Sequence, residues 1–177
     1  MKPQRRISRE LAYNGKIIDI YCDTIELENG NIAKFDYIGH KGAAAVVPVK
    51  DDGKILLVRQ YRNALDRFTL EIPAGGKNGI EEEGIKCAAR ELEEETGYRS
   101  DNLVPLIAVN TTVAFCNELI EIFLARDLKE SKQNLDEDEF VEVEEYSLDE
   151  LIKMIKEGTI TDSKTVSAIL AYKEFYA

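Results

Sequence analysis

The chain has 177 residues, of which 44% are hydrophobic and 32% are charged. This length and composition fit one globular domain, or one with a small appendage, and exclude a disordered chain. Its formal net charge of −11 argues against an electrostatic grip on nucleic acid or on an anionic membrane, because phosphates need a basic surface. An acidic protein that handles phosphates would need cations as intermediaries.

Residues 1–40 predict an antiparallel β subdomain. Their basic start, MKPQRRISREL, has no apolar segment behind it, so we do not expect a signal peptide. Residues 16–27 are rich in Ile, Tyr and Thr, an Asn-Gly pair then predicts a tight turn, and residues 32–37 return as the second strand. Because a lone hairpin is marginal in water, this segment is expected to pack on the main domain, residues 41–177, or on a second subunit.

Five further strands are predicted in the main domain. Near-continuous apolar runs at residues 43–49 and 54–60, separated by an Asp-Asp-Gly turn, predict a second hairpin in a sheet covered on both faces. Residues 103–109 and 119–125 predict two more strands. An acidic loop at 134–139 then leads into the alternating FVEVEEY, which predicts a strand with one buried face. No apolar run approaches the length of a membrane span.

Three helices complete the predicted domain. The first, at residues 82–96, carries an apolar stripe at i, i+3, i+4 and i+7 that is expected to face the core: Ile85, Ala88, Ala89 and Leu92. Gly97 is expected to end it. Ser147 and Glu150 predict a capping box in front of a second, amphipathic helix, and a last helix is predicted from about Asp162. Strands interleaved with helices predict an α/β or α+β domain, with helices on both faces of a mixed sheet.

The region of the first helix is strongly acidic. The segment GGKNGIEEEGIKCAARELEEETGY, residues 75–98, holds seven glutamates. On the helix, Glu91, Glu94 and Glu95 share one face, and the apolar stripe is expected on another. Close carboxylates partly removed from water repel one another by about 4 kcal/mol, and a divalent cation reverses that sign. Clustered oxygens bind hard cations when phosphates supply the remaining ligands; the alternative is a solvated acidic face, which is common.

The other potential metal ligands of the chain are few. Its single histidine, His40, makes a histidine-rich zinc site unavailable, so any metal is expected on oxygen ligands, which favours Mg²⁺ or Mn²⁺. The three cysteines, Cys22, Cys87 and Cys116, are an odd number without CxxC spacing. They predict reduced thiols in a cytoplasmic protein.

The spacing within the acidic segment is specific. It contains Gly76, five residues, Glu82, seven residues, Arg90-Glu91-Leu92, one residue, Glu94-Glu95, one residue, Gly97 and Tyr98. This pattern resembles the signature of the Nudix hydrolases, with Tyr98 in place of the usual aliphatic residue as its one departure. The resemblance implies a Nudix-type α/β/α sandwich with a mixed central sheet. It also implies a loop-helix-loop that binds one to three Mg²⁺ or Mn²⁺ ions for cleaving a nucleoside diphosphate linked to another moiety.

Matched residue by residue, the resemblance assigns the metal ligands. It implies Glu91 and Glu95 as the main ligands, and Glu94 as an assisting ligand or an orienter of water. It implies Glu82 as a partner of these ligands or as a further ligand. The backbone carbonyl of Gly75 is expected close enough to the metal ions to join them.

Two further roles follow from the same resemblance. Arg90, charged at any working pH, is implied to pair with the glutamates and hold them in place. Diphosphate hydrolysis builds negative charge on phosphoryl oxygens, which metal ions neutralise while lowering the pKa of a bound water, and a further carboxylate must take the proton of that water. In the acidic loop, Glu139 is the expected base and Glu137 the second choice, with a solvated charge run as the alternative for this loop.

Stretches outside the signature resemble the ADP-ribose pyrophosphatase branch of the family over most of residues 15–175. They are GHKGAAAVVPV, LLVRQYR, EIPAG, NELIEIFLARDL and DEDEFVEVEEYSLDEL. The likeness implies a homodimer that exchanges its leading strands. It also implies that Arg59 and Arg62 bind phosphate or the terminal ribose, and that Glu71 contacts the nucleoside side of the pocket. The alternative is that Arg59 and Glu71 merely pair on a sheet surface.

The substrate implied by this likeness is ADP-ribose, cleaved to AMP and ribose 5-phosphate. Thr112-Val113-Ala114 stands where the branch typically carries Ser-Pro-Gly, which changes a loop that helps to shape the pocket. ADP-glucose, a GDP-sugar or another nucleoside diphosphate derivative therefore stays open. A nucleotide-sugar sensor without turnover stays open too, although every acidic and basic position of the signature is present. Neither nucleic acid nor a membrane is expected as a partner.

Overall fold

A computed structural model describes residues 3–15, 18–135, 137 and 139–177 of the chain. The chain forms two compact units, one of Met1–Lys41 with Asn110–Glu118 and the other of Gly42–Val109 with Leu119–Ala177. Within the described residues, no helix has both the length and the apolar character needed to cross a membrane.

The first unit contains a three-stranded antiparallel sheet in the order β1-β2-β3. Its strands are β1 (Arg5–Asn14), β2 (Asp19–Glu26) and β3 (Ile32–Gly39). The last two are the predicted hairpin, although Lys16 and Ile17, where the first predicted strand begins, lie outside the described residues. Gly30 turns the chain between them with a φ of 85°, in the left-handed region that favours glycine.

β1 is an additional strand that the sequence analysis did not predict. Arg9 on β1 donates two hydrogen bonds of 2.6 Å to the carboxylate of Asp23 on β2. The guanidinium of Arg9 also lies 3.5 Å from the ring centroid of Tyr37 on β3. An ion pair and a cation–π contact thus join the three strands.

The second unit contains nine strands, three α-helices and one short 3-10 helix (Asn63–Leu65) among the described residues. The strands are β4 (Ala43–Pro48), β5 (Ile55–Arg62), β6 (Arg67–Glu71), β7 (Ala74–Gly76), β8 (Tyr98–Arg99), β9 (Asn102–Asn110, whose last residue belongs to the first unit), β10 (Leu119–Arg126), β11 (Lys129–Glu130) and β12 (Val141–Tyr146). The helices are α1 (Gly84–Thr96), α2 (Leu148–Lys156) and α3 (Ser163–Tyr176).

The predicted mixed sheet is confirmed, whereas the predicted second hairpin is wrong. The mixed sheet has the order β7-β4-β10-β9, with β4 parallel to β10 and antiparallel to β7. The other apolar run, β5, lies between β12 and β6 in a separate antiparallel sheet. A single bridge between Val49 and Ile55 joins the two runs. Both β4 and β5 are interior strands of their own sheets, because each one has a partner strand on both sides.

Helices cover both faces of β4, as predicted. All six residues of β4 are buried, and its successive side chains point to opposite faces. On one face, Val46 packs in a cluster with Leu92 of α1. On the other face, Val47 belongs to the main core with Leu151 of α2 and Ile169 of α3. The near-continuous apolar sequence of this strand is therefore explained by burial on both faces.

The helix ends agree with the predicted caps. The Oγ of Ser147 accepts a hydrogen bond from the backbone N–H of Glu150, whose carboxylate accepts one from the backbone N–H of Ser147, so the capping box is present. Asp162 caps α3. Gly97 ends α1 with a φ of 70°.

The predicted apolar stripe of α1 is wrong at Ile85, and Ala89 is only partly buried. Ile85 is 40% exposed, whereas Ala88 and Leu92 are fully buried. The buried face of the helix instead includes Cys87, Glu91 and Glu95. The reason is steric, since a face that packs closely on β4 needs small side chains near the start of the helix.

Candidate active site

The end of α1 places two signature glutamates inside the protein. Glu91 is 8% exposed and Glu95 is 2% exposed. They lie one helical turn apart, on the same buried face as Leu92. The prediction that the glutamates and the apolar residues occupy different faces is therefore wrong for this pair.

The short strand β7 lies directly against these two carboxylates. The backbone N–H of Ala74 donates a hydrogen bond of 3.0 Å to Oε2 of Glu95. Gly75 approaches Glu91 so closely that a Cβ at this position would overlap its carboxylate. Glycine at position 75 thus leaves room for the carboxylate where it lies, and a larger residue would displace the Glu91 side chain.

Arg90 links four groups of the signature. Its Nη1 donates to Glu91 Oε1 at 2.6 Å and to Glu94 Oε2 at 2.8 Å. Its Nη2 donates to the carbonyl of Gly76 at 3.0 Å, and its Nε lies 3.5 Å from Glu82 Oε1. The guanidinium therefore fixes the carboxylates on both sides of it.

Glu82 lies in the loop before α1 and faces this guanidinium. Its Oε2 accepts a hydrogen bond of 2.6 Å from the backbone N–H of Asn78. That bond, helped by Arg90, lowers the pKa of Glu82 below its ordinary value. Glu82 is accordingly charged at neutral pH and balances one side of the arginine.

The two buried glutamates resist ionisation in the protein alone. Burial, and then the nearby carboxylates of Glu139 and Glu91, raise the pKa of Glu95 to about 8, against the opposing effect of the Ala74 N–H. Burial also raises the pKa of Glu91, although Arg90 opposes the change. A cation among these carboxylates would reverse both effects.

The acidic loop brings Glu139 within electrostatic reach of α1. Its carboxylate repels those of Glu91 and Glu95, and its side chain is half-buried. Glu137 is exposed. Asp136 and Asp138, the other acidic residues of this predicted loop, lie outside the described residues.

The chemistry of this cluster fits a hard divalent cation. In the part of the chain that the structure describes, no group of three or more His, Cys, Asp or Glu side chains is arranged to hold a metal ion. Arg90 engages Glu91, and the Ala74 N–H engages Glu95. The donors themselves are two buried carboxylates and a third nearby, beside the carbonyl of Gly75, and oxygen donors of this kind suit Mg²⁺ or Mn²⁺.

A second network surrounds Glu71 at the end of β6. Glu71 is 3% exposed and accepts two hydrogen bonds of 2.7 Å from Arg62, one of 2.6 Å from Thr69 Oγ1, and one from Lys164 Nζ. Burial alone would raise the pKa of Glu71, but Arg62 and Lys164 outweigh it and lower the pKa to about 2. Arg62 and Lys164 also line a cavity of about 300 Å³.

Arg59 belongs to a different face of the same sheet. Its guanidinium forms an ion pair with Glu144 on β12, with Nη2 at 3.2 Å from Oε2. The alternative in which Arg59 pairs with Glu71 is therefore wrong. Adjacent residues of a strand point to opposite faces, and Glu71 lies opposite Val58 rather than facing the Arg59 side chain.

Comparison with known proteins decides the family. A model of the NUDIX domain matches residues 39–169, which is most of the chain. The chain belongs to the Nudix family. It is 44% identical over 168 residues to an ADP-ribose pyrophosphatase of Bacillus subtilis (strain 168), covering 94% of this chain and 90% of that protein. It is 40% identical, with the same coverage, to a methanol dehydrogenase activator of Bacillus methanolicus.

The Nudix fold is also found in a solved structure. The crystal structure of an ADP compounds hydrolase superposes with a TM-score of 0.88, covering 99% of this chain and 95% of that one, at 20% sequence identity. This likeness confirms the predicted α/β fold. With its family established, the chain is a Nudix pyrophosphohydrolase that acts on nucleoside diphosphate derivatives.

The structure thus gathers most of the Nudix residues singled out from the sequence. Glu82, Arg90, Glu91, Glu94 and Glu95 lie together, with Gly75 against them. Arg62 and Glu71 form the separate buried network, and Arg59 lies apart from both. Sequence reasoning missed Lys164. The available signal was its position in the first turn of a helix, where the helix dipole disfavours a cation unless an anion compensates for it.

Proposed function

We propose that this Nudix hydrolase cleaves the diphosphate linkage of ADP-ribose to give AMP and ribose 5-phosphate, with Mg²⁺ or Mn²⁺ as cofactor. The observation that carries the proposal is the buried pair Glu91 and Glu95, set against the backbone of Ala74 and Gly75. The relative named ADP-ribose pyrophosphatase, at 44% identity over almost the whole chain, supports the choice of ADP-ribose.

The proposed cofactor would be held by the carboxylates at the end of α1. Glu91 and Glu95 would be its main ligands, Glu94 and Glu82 would assist, and the carbonyl of Gly75 would contribute one more oxygen. When bound, the ion would supply positive charge to the phosphoryl oxygens and lower the pKa of a water molecule. Two buried carboxylates with raised pKa values otherwise only destabilise the protein, which supports this assignment.

Arg90 would keep the carboxylates in position during the reaction. It donates to both Glu91 and Glu94, and Gly76 and Glu82 fix its other nitrogens. Since four partners surround one planar guanidinium, its orientation is determined within the protein. The positions of the carboxylates are then set before a substrate binds.

Glu139 is our proposed general base. It would take the proton of the attacking water onto a carboxylate oxygen, and that proton would leave with solvent after the diphosphate is cleaved. Its half-buried position near Glu91 and Glu95 supports the role. Glu137 remains the second choice.

Arg59 and Arg62 would bind the phosphate or terminal ribose groups, and because their side chains leave opposite faces of the sheet, each would contact a different one of these groups. Glu71 was expected to contact the nucleoside, but both of its oxygens accept hydrogen bonds from protein side chains. We therefore propose that Glu71 contributes by fixing the guanidinium of Arg62. A carboxylate engaged in this way holds the arginine in one orientation.

The proposal is tested with a panel of nucleoside diphosphate sugars. The protein is incubated with ADP-ribose, ADP-glucose and GDP-mannose, each with Mg²⁺ and with excess EDTA, and the products are identified by chromatography. We expect ADP-ribose to give AMP and ribose 5-phosphate with the highest kcat/KM, and EDTA to abolish turnover. A higher kcat/KM for a GDP-sugar would overturn the choice of ADP-ribose, and tight binding without product would indicate a sensor.

We also propose a homodimer formed through the amino-terminal subdomain, residues 1–40. On β1, the apolar side chains of Ile7, Leu11 and Tyr13 are 49%, 54% and 60% exposed, and a second copy would cover them. Light scattering coupled to gel filtration measures the mass directly. A cytoplasmic location is consistent with the free thiols of the three cysteines, and no nucleic acid is proposed as a partner.

A further inference from the structure

The first turn of α3 contacts the segment that leads into the acidic cluster. Lys164 is 8% exposed and Thr165 is fully buried. The Oγ1 of Thr165 accepts a hydrogen bond of 2.9 Å from the backbone N–H of Ile72, and Lys164 Nζ donates to the carboxylate of Glu71. Two consecutive residues of the helix thus hold two consecutive residues at the end of β6.

This turn of the helix is itself fixed by its cap. One oxygen of Asp162, Oδ2, accepts hydrogen bonds from the backbone N–H of Thr165 at 2.9 Å and from its Oγ1 at 2.6 Å. The same oxygen lies 3.1 Å from Lys164 Nζ. Because the hydroxyl proton of Thr165 is donated to Asp162, its lone pairs face Ile72. With its proton directed to Asp162, the hydroxyl oxygen acts as the acceptor for Ile72.

The segment beyond Ile72 is held at each following residue. The carbonyl of Pro73 accepts a hydrogen bond of 3.0 Å from the N–H of Val46 on β4. The N–H of Ala74 donates to Glu95 at 3.0 Å. A shift of the backbone at Ile72 would therefore reach the Glu95 carboxylate within two residues.

The contact after Ala74 leaves little room for such a shift. Gly75 packs so tightly on the Glu91 carboxylate that a single added carbon would overlap it. A movement of β7 toward α1 would push Glu91 aside, and a movement away would break the hydrogen bond from Ala74 to Glu95. The separation of β7 from α1 thus sets the positions of both carboxylates.

We propose that Lys164 and Thr165 are positioning residues of the hydrolase site: they hold residues 71–75 so that Ala74 and Gly75 keep Glu95 and Glu91 in place for a divalent cation. The inference deepens the proposed function and depends on it for the identity of the site. Thr165 is the more informative of the two residues. Since it is fully buried, it reaches neither solvent nor substrate, and its hydroxyl contacts only the backbone N–H of Ile72 and the carboxylate of Asp162 among the hydrogen bonds of the described residues.

The experiment compares Thr165→Val with Thr165→Ser in the full-length protein. Valine keeps the size of the side chain and removes the acceptor for the Ile72 N–H, whereas serine retains the hydroxyl. Mn²⁺ is the probe, and its dissociation constant is measured without nucleotide by electron paramagnetic resonance. Groups that orient metal ligands typically change metal affinity or activity 10- to 100-fold. We expect Thr165→Val to weaken Mn²⁺ binding and to lower kcat by about tenfold or more, and Thr165→Ser to restore both.

Three variants separate positioning from a general loss of stability. Thr165→Ala, which also removes the acceptor for the Ile72 N–H, is expected to weaken Mn²⁺ binding in the same way, whereas Lys173→Met, on the exposed side of α3, is expected to leave it unchanged. Ile169→Val removes one methyl group from the core beneath α3 and is expected to lower the Tm without changing the Mn²⁺ dissociation constant. Should Thr165→Val fail to fold, Thr165→Ala decides the question by the same measurements, because Lys164→Met would also remove a positive charge that acts on Glu95 through space.

The outcomes distinguish this inference from the proposed function. If Thr165→Val and Thr165→Ala lower the Tm but bind Mn²⁺ as the wild type does and keep its kcat, the positioning role is overturned, whatever the substrate. If the wild type binds Mn²⁺ more tightly than Thr165→Val but does not cleave ADP-ribose, the positioning role is supported and the substrate assignment fails. A wild-type protein that binds no Mn²⁺ overturns both.

Discussion

Glu71 and Glu95 are both buried glutamates of the same unit, with exposed fractions of 3% and 2%, but their ionisation differs strongly. The pKa of Glu71 is about 2, whereas that of Glu95 is about 8. Burial raises the pKa of both carboxyls, so the difference comes from their neighbours. Glu71 is hydrogen-bonded to the cations of Arg62 and Lys164, whereas Glu95 faces two other carboxylates, has the N–H of Ala74 as its hydrogen-bond donor, and feels Lys164 only through space.

The comparison shows that Glu71 is a structural carboxylate, whereas Glu95 is suited to bind a ligand. The charge of Glu71 is compensated inside the protein, so it contributes to folding without any cofactor. The charge of Glu95 is opposed by those of Glu91 and Glu139, so in the protein alone it lowers the stability of the folded state. Acidic groups whose pKa is raised in this way are concentrated at functional sites. A divalent cation would compensate the negative charge of Glu95, as Arg62 and Lys164 compensate that of Glu71.

The largest expected effect comes from removing the charge of Glu95. Glu95→Gln keeps an oxygen acceptor for the Ala74 N–H but removes a metal ligand. Since a bound metal ion stabilises the transition state by several kcal/mol, and each 1.36 kcal/mol is a factor of ten, kcat is expected to fall on the order of 10³-fold. Steady-state kinetics with ADP-ribose and Mg²⁺ measures the change.

The control for this variant is Glu93→Gln. Glu93 lies on the opposite side of α1, where it accepts a hydrogen bond from Ser131, and its replacement is expected to leave kcat near the wild-type value. An undiminished kcat in Glu95→Gln would remove Glu95 from the proposed metal site. An equal loss in both variants would show that kcat responds to the charge of the helix rather than to the buried position.

The next effect concerns folding rather than catalysis. Glu71→Gln leaves the charges of Arg62 and Lys164 without their buried partner, and breaking a buried ion pair by removing one member is strongly destabilising. We expect the free energy of unfolding to fall by about 3 kcal/mol, at the low end of that range because Arg62 is partly exposed. Urea denaturation measures it, with Glu174→Gln, an exposed residue of α3, as the control. A change as small as that of the control would contradict the compensated role of Glu71.

The pH dependence of stability tests both carboxylates at once. Glu95 has a folded-state pKa of about 8, above its unfolded value of 4.5, so the folded protein binds the extra proton between these pH values. Stability is therefore expected to fall as pH rises from 4.5 to 8. Glu71 has the opposite sign, because its lowered pKa of about 2 gives stability above pH 4.5 that is lost as pH falls toward 2.

The measurement is urea denaturation of the metal-free protein from pH 5 to 9, with Glu95→Gln as the matched control. The wild type is expected to lose on the order of 2 kcal/mol relative to Glu95→Gln across this range, less than the limit of about 1.4 kcal/mol per pH unit because the neighbouring Glu91, whose pKa is also raised, titrates together with Glu95. Mn²⁺ should close the gap by binding the ionised folded form. Parallel curves for the two proteins would contradict the raised pKa of Glu95.

The contrast between Glu71 and Glu95 also shows what sequence can predict. The spacing from Gly76 to Gly97 identified the acidic cluster, because a helix of fixed period brings Arg90, Glu91 and Glu94 together wherever it occurs. Local signals of this kind also located the N-terminal caps of α2 and α3, Ser147 and Asp162. The burial of Glu91 and Glu95 was missed, because their exposure depends on β7, which packs on α1 only in the folded protein.

Contacts between distant parts of the chain were beyond these local signals. Lys164 donates to Glu71 across 93 residues, and no periodicity in either segment connects them. The apolar runs of β4 and β5 showed that each strand is buried, but the short turn between them suggested the wrong partner. β1 was missed because its charged residues obscure a strand whose pairing depends on Arg9 and Asp23.

The smallest expected effect on stability comes from Arg59. Its ion pair with Glu144 is 37% exposed at the arginine, and exposed pairs typically contribute less than about 1 kcal/mol, far below the effect expected at Glu71. Arg59→Gln should therefore leave the free energy of unfolding within about 1 kcal/mol of the wild type and raise the KM for ADP-ribose. Glu144→Gln breaks the same ion pair but leaves the arginine available to a phosphate, so its KM should not rise. If Arg59→Gln and Glu144→Gln raised KM equally, the ion pair would affect KM through the structure of the sheet. Arg59 would then no longer be a proposed substrate contact.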